Sequence, residues 1–87
     1  MLHKRIEMTR EEIFKQLESI FKDVLDLETV TLCDSTTAAD IEEWDSLNHV
    51  QLVYEVEQAM GIRFTSAEIL SWKNVGQMVD SIIKQRK

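Results

Sequence analysis

The chain has no proline, glycine only at Gly61 and Gly76, and cysteine only at Cys33. Without proline, nothing inside its helical stretches forces a break. Without a glycine pair, no strained G-x-S-x-G turn can present a nucleophile. A lone thiol forms no internal disulfide, and the distant His3 and His49 give it no metal-ligand spacing. No apolar run is long enough to cross a bilayer, and the N-terminus lacks the apolar stretch of a signal peptide. These absences lead to the expectation of a reducing, cytoplasmic setting, with no metal and no membrane insertion.

Basic residues are missing from a whole segment. Residues 28–61 contain no Lys or Arg but eight acids: Glu28, Asp34, Asp40, Glu42, Glu43, Asp45, Glu55 and Glu57. Residues 1–27 are nearly balanced, with five basic and six acidic side chains, and residues 62–87 carry five basic against two acidic. The net charge of −6 argues against nucleic acid, because phosphate binding needs a basic face. An acidic segment can be no more than a solvated face, but such segregation also steers basic partners.

What is present is helical periodicity. At 87 residues there is room for one small domain, expected over residues 9–87 after a lead-in at 1–8. From Thr9, Ile13, Leu17, Ile20 and Val24 repeat at helical spacing, with Phe14, Phe21 and Leu25 widening the stripe. Thr9 and Glu12 form a capping-box sequence, and the helix is expected to run to Leu25–Leu27. The Thr-, Ser- and Asp-rich stretch 28–45 reads as a long loop pinned by Val30, Leu32, Ile41 and Trp44, with Cys33 half-buried in it. A second helix from Asp45 or Ser46 is expected to turn Leu47, Val50, Val53, Val56 and Met60 inward and to stop at Gly61. After a short extended link, Thr65 and Glu68 cap a brief helix over "SAEILSW". Asn74 caps a last helix bearing Val75, Met78, Val79, Ile82 and Ile83, and its basic end suits the helix dipole. The fold class is all-α: a bundle of three main helices and one short one, with a long loop between the first two.

The second helix starts differently from the others. Thr9, Thr65 and Asn74 each have Glu or Gln three residues on, whereas Asp45 faces Asn48 and Ser46 faces His49. If Asp45 accepts the backbone N–H bonds, Ser46 is surplus, with its hydroxyl free where a helix favours an anion. Three functional classes then stand open: a carrier modified at Ser46, an unmodified acidic interaction module with Ser46 as a plain cap, and a small serine hydrolase. The last is the weakest, since nothing supplies an oxyanion nest or a deep water-excluding pocket. Leu47 and Tyr54 lie seven residues apart on the Ser46 side of this helix. They are either partly exposed contact residues, or a core leucine and a tyrosine covering a seam.

The stretch "DIEEWDSLNHVQLVYEVEQAMGIRF", with the later "KNVGQMVDSI", resembles acyl carrier proteins and their relatives in polyketide and nonribosomal peptide synthesis. The centre of the resemblance is Asp45-Ser46-Leu47. It implies an acyl-carrier-like bundle and a non-catalytic carrier of acyl groups as thioesters. It implies a 4′-phosphopantetheine arm on Ser46, transferred from coenzyme A by a separate phosphopantetheinyl transferase, with Asp45 supporting the modification. Partner recognition by acyl-loading and acyl-using enzymes with basic docking surfaces would fall to Leu47, Tyr54, Glu55 and Glu57. A monomer is expected, and an aminoacyl or peptidyl carrier on the same scaffold is the alternative. Fatty-acid carriers usually have acidic residues two and five positions after the serine, where this chain has Asn48 and Gln51. That departure resembles freestanding carriers of specialised polyketide, aminoacyl or surface-polysaccharide pathways.

Overall fold

The computed structural model describes residues 8–86 of the chain. Apart from Met8, the expected lead-in lies outside them. Four helices follow in order: α1 (Arg10–Leu25), α2 (Ser46–Met60), α3 (Ser66–Ser71) and α4 (Val75–Arg86), with one 3-10 turn (Ala38–Asp40) in the long loop. There is no strand among the described residues.

The ends form for local reasons. Thr9 Oγ1 accepts from Glu12 N at 3.1 Å while Glu12 Oε1 accepts from Thr9 N at 2.8 Å, so two otherwise orphaned donors are satisfied reciprocally. Thr65 and Glu68 repeat the arrangement at α3. At α4, Asn74 Oδ1 accepts from Gln77 N and Gln77 Oε1 accepts from Lys73 N. Helix α1 ends at Leu25 because Asp26 turns left-handed at φ 56°, which a short polar side chain tolerates. Gly61, at φ 67°, ends α2 as expected.

The core is the meeting of three stripes. Ile13, Leu17, Phe21 and Leu25 of α1 pack with Leu52, Val53, Val56 and Met60 of α2 and Val75, Met78, Val79 and Ile82 of α4. In α1 the fully buried line runs through Phe21 and Leu25, while Ile20 and Val24 sit at its edge. In α2 the expected stripe is corrected. Val50 was expected inward but is 70% exposed, whereas Leu52, absent from that stripe, is fully buried. The inward face follows positions 49, 52, 53, 56 and 60, the i, i+3, i+4, i+7 pattern of a helix.

The long loop is fastened at several points. Leu32 and Trp44 are buried, and Val30 and Ile41 pack against the core. Three polar anchors add to these pins. Glu18 accepts from Leu32 N at 2.9 Å, and the buried Thr36 accepts from Cys33 N at 2.9 Å. Arg10 reaches Asp34 at 2.5 Å and Asp80 at 2.8 Å, tying α1, loop and α4 together. The loop also caps α4: Thr36 O accepts from Val75 N at 2.8 Å and Asp34 O from Gly76 N at 3.0 Å. Cys33, expected to be half-buried, is exposed. Its thiol lies near Ser35 Oγ and Thr36 Oγ1, and those hydrogen bonds lower its pKa from the ordinary thiol value.

Candidate functional site

The site is the start of α2. Asp45 lies in extended backbone just outside the helix, and its Oδ1 accepts from Asn48 N at 2.8 Å. Asp45 is thus the cap. Ser46 is the first residue of the helix and is exposed, and among the described residues its hydroxyl has no hydrogen-bond partner. The first-turn N–H groups and the positive end of the helix dipole make this a favourable place for an anion.

Asn48 and His49 brace this turn from behind. Asn48 Nδ2 donates to Glu43 O at 2.9 Å, holding the preceding bend against the helix. A carboxylate has no N–H to give, so Asn48→Asp removes that bond and sets an anion against a carbonyl oxygen. The bond contributes about 1 kcal/mol and the dipole returns part of it, about 0.3–1 kcal/mol, so this replacement should destabilise the fold by about 0.5 kcal/mol. A lower melting midpoint checks it, and an unchanged midpoint contradicts the bracing role. His49 Nδ1 accepts from Trp44 Nε1 at 3.0 Å, and the two rings stack at 5.9 Å and 27°. Burial lowers the pKa of His49 below its ordinary value. With Nδ1 engaged by the indole, this nitrogen is not free to serve Ser46 as a base.

A cavity of about 340 Å³ opens beside the serine, lined by Ser46, Trp44, Trp72, Ile69, Met78 and His49 among others. It lies at the small end of ligand pockets, which span roughly 300–1,000 Å³. Both indoles are fixed. Trp44 meets Phe21 edge to face at 4.9 Å, and Trp72 meets Phe64 likewise at 4.7 Å while donating to Ser81 Oγ at 2.9 Å. Sequence reasoning missed Trp72, Ile69 and Met78 as cavity residues, because no local pattern brings α3 and α4 to Ser46.

The outward face of α2 is unusually apolar. Leu47 is 80% exposed and Tyr54 is 55% exposed, and with Val50 they form one stripe at i, i+3 and i+7. Leu47, also considered among the inward residues, is not in the core. Exposed acids flank the start of the helix: Glu42, Glu43 and Asp45. Glu55 and Glu57 are half-buried. Glu55 accepts from Gln51 Nε2 at 3.4 Å, and Glu57 accepts from Phe64 N at 2.8 Å, fastening the link after α2. Among the described residues no cluster of His, Cys, Asp or Glu could hold a metal, and no helix is long and apolar enough to cross a membrane.

Comparison with known proteins bears on what this site does. Residues 15–82 match the family described as "Phosphopantetheine attachment site". The chain is 33% identical over 75 residues to the acyl carrier protein of Coprothermobacter proteolyticus, covering 86% of this chain and 92% of that one. It is 30% identical over 77 residues to that of Thermotoga maritima, covering 88% and 95%. The solution structure of the holo acyl carrier protein from Geobacter metallireducens superposes with a TM-score of 0.78 at 36% identity, covering 84% of both chains. These relatives do not favour an unmodified interaction module.

Proposed function

Because the chain belongs to the phosphopantetheine attachment family and carries acyl groups on a 4′-phosphopantetheine arm as acyl carrier proteins do, we propose that the arm is attached at Ser46. When bound, the group supplies a flexible tether ending in a thiol that holds acyl groups as thioesters. One observation carries the assignment: Asp45 already caps α2, so the exposed Ser46 hydroxyl has no structural bond to lose. The phosphodiester would meet the first-turn N–H groups, which favour an anion. Asp45 supports modification by fixing the turn that presents Ser46.

The chain's own contribution is presentation, not chemistry. His49 Nδ1 is held by Trp44 and the Ser46 hydroxyl has no hydrogen-bond partner among the described residues, which supports the reading of a carrier without catalytic activity. The biosynthetic enzymes that load and use it, and the transferase that modifies it, would dock on the face of Leu47, Val50 and Tyr54. Glu42, Glu43, Asp45 and Glu55 would steer basic surfaces, speeding encounter more than strengthening the complex. Glu57 would contribute through its charge while holding Phe64 N. A cytoplasmic monomer suits such a shuttle. Asn48 and Gln51 in place of acids favour a specialised pathway over bulk fatty-acid synthesis.

The test is direct. Incubated with coenzyme A and a broad-specificity phosphopantetheinyl transferase, the wild-type chain should gain the mass of one arm. A chain that gains none overturns the assignment.

A further inference from the structure

The two indoles beside Ser46 are held by different acceptors. Trp72 donates to Ser81 Oγ, a hydroxyl that keeps its lone pairs across the physiological range. Trp44 donates to His49 Nδ1, which can accept only while it is unprotonated. An imidazolium has two N–H groups and no acceptor, so in that state the indole N–H would face another donor. Trp44 is buried and its N–H has no other partner among the described residues. Protonation therefore costs it that bond and leaves the buried N–H facing another donor.

We propose that His49 is a positioning residue that holds Trp44 as a wall of the cavity beside Ser46, and that this wall loosens when the imidazole gains a proton or is removed. The geometry supports this from both sides of the serine. Trp44 stands two residues before Ser46 and His49 three after it, so one side-chain bond spans the turn that presents the hydroxyl. The His49 backbone N–H donates to Asp45 O at 2.9 Å, which fixes the ring's own base. The charged side chains that share the cavity are Asp45, at the cap of the same helix, and Lys73, on the link to α4. The residues reaching this layer from α1, α3 and α4 are Phe21, Ile69 and Met78, all neutral. Neutral His49 is thus the state the surroundings favour near pH 7, in line with burial lowering its pKa. The sign follows: its contribution to stability is complete above the ordinary histidine value, falls as pH drops below that value, and levels off below the folded-state pKa. The inference goes beyond the attachment reading and does not depend on it.

The test uses the full-length unmodified chain and its indole N–H signals in 1H–15N spectra, with Trp72→Phe assigning the pair. As pH falls from about 8 through and below the ordinary histidine value, the Trp44 signal should shift and exchange faster with solvent, while the Trp72 signal stays in place. His49→Leu should show the acid-like Trp44 signal at every pH. His49→Gln, whose amide oxygen accepts a hydrogen bond at every pH, should restore the protected signal and abolish the titration. A Trp44 signal that ignores the protonation of His49 in the wild type overturns the inference, as does one that titrates equally in His49→Gln. The wild-type titration decides even if His49→Leu fails to fold. No step requires the arm, so the result is separate from the attachment assay.

Discussion

Replacing Leu52 by Ala should remove a large share of the fold's stability, while replacing Val50, two residues earlier, should remove almost none. Leu52 is fully buried in the core, and truncating such a leucine costs about 2–5 kcal/mol through lost transfer energy and the cavity left behind. A domain of this size has a total stability of only about 4–13 kcal/mol, from roughly 0.05–0.15 kcal/mol per residue. The variant should therefore melt well below the wild type or be partly unfolded at room temperature. Val50 faces outward, so Val50→Ala should change stability by no more than about 0.5 kcal/mol. The better helix propensity of alanine makes even a small gain reasonable. Urea denaturation of the two variants side by side measures the contrast, and equal losses would contradict the observed rotation of α2.

Gly76→Ala should also destabilise, although alanine is the better helix former. A Cβ at Gly76 would lie 2.8 Å from Asp34 O, 2.8 Å from Asp34 Oδ1 and 3.0 Å from Asp34 Cα. Two of those atoms are backbone, so a side-chain rotation cannot relieve the clash. Either the loop or the first turn of α4 must move. Movement strains the bonds from Val75 N to Thr36 O and from Gly76 N to Asp34 O, along with the grip of Arg10 on Asp34 and the Gly76 carbonyl. Overpacking of this kind costs about 1–3 kcal/mol, and the gain from alanine in a helix interior, at most about 1 kcal/mol, offsets only part of it. A clear fall in melting temperature is expected. A variant as stable as the wild type would mean that the loop is not seated on α4 as described.

Most of the fold was legible because its signals are local. A Thr with Glu three residues on marks a helix start wherever it occurs, and both such pairs form reciprocal caps. Gly61 marks a stop by the same logic. The rotation of α2 was harder, since this helix carries apolar residues on two faces. Leu47, Val50 and Tyr54 form an outer stripe beside the inner one of Leu52, Val53, Val56 and Met60, so periodicity alone admits more than one rotation. The contacts joining distant parts of the chain had no signal at all. Arg10 meets Asp80 seventy residues away, and Glu57 folds back onto Phe64 N, neither of which spacing could announce.

The site divides along the same line. The sequence offered Asp45 and Ser46 as possible caps of α2, neither with a capping-box partner, and the structure decides for Asp45 and leaves Ser46 spare. Asn48 and His49 stood out in the sequence as missing capping partners, and Asn48 also as a departure from an acid, but neither signal gave their bonds. Their actual bonds reach backward, to Glu43 O and to the Trp44 indole, because the bend before α2 brings those groups under the first turn. The cavity residues of α3 and α4 required the whole bundle to close.

The most direct measurement is a residue-level map of where the arm sits. After reaction with coenzyme A and the transferase, tandem mass spectrometry of the digested wild-type chain should find the phosphodiester on Ser46, and Ser46→Ala should remain unmodified while keeping its helical signal. An arm found on Ser35, Ser66 or another serine, or a Ser46→Ala chain that is still loaded, would contradict the account.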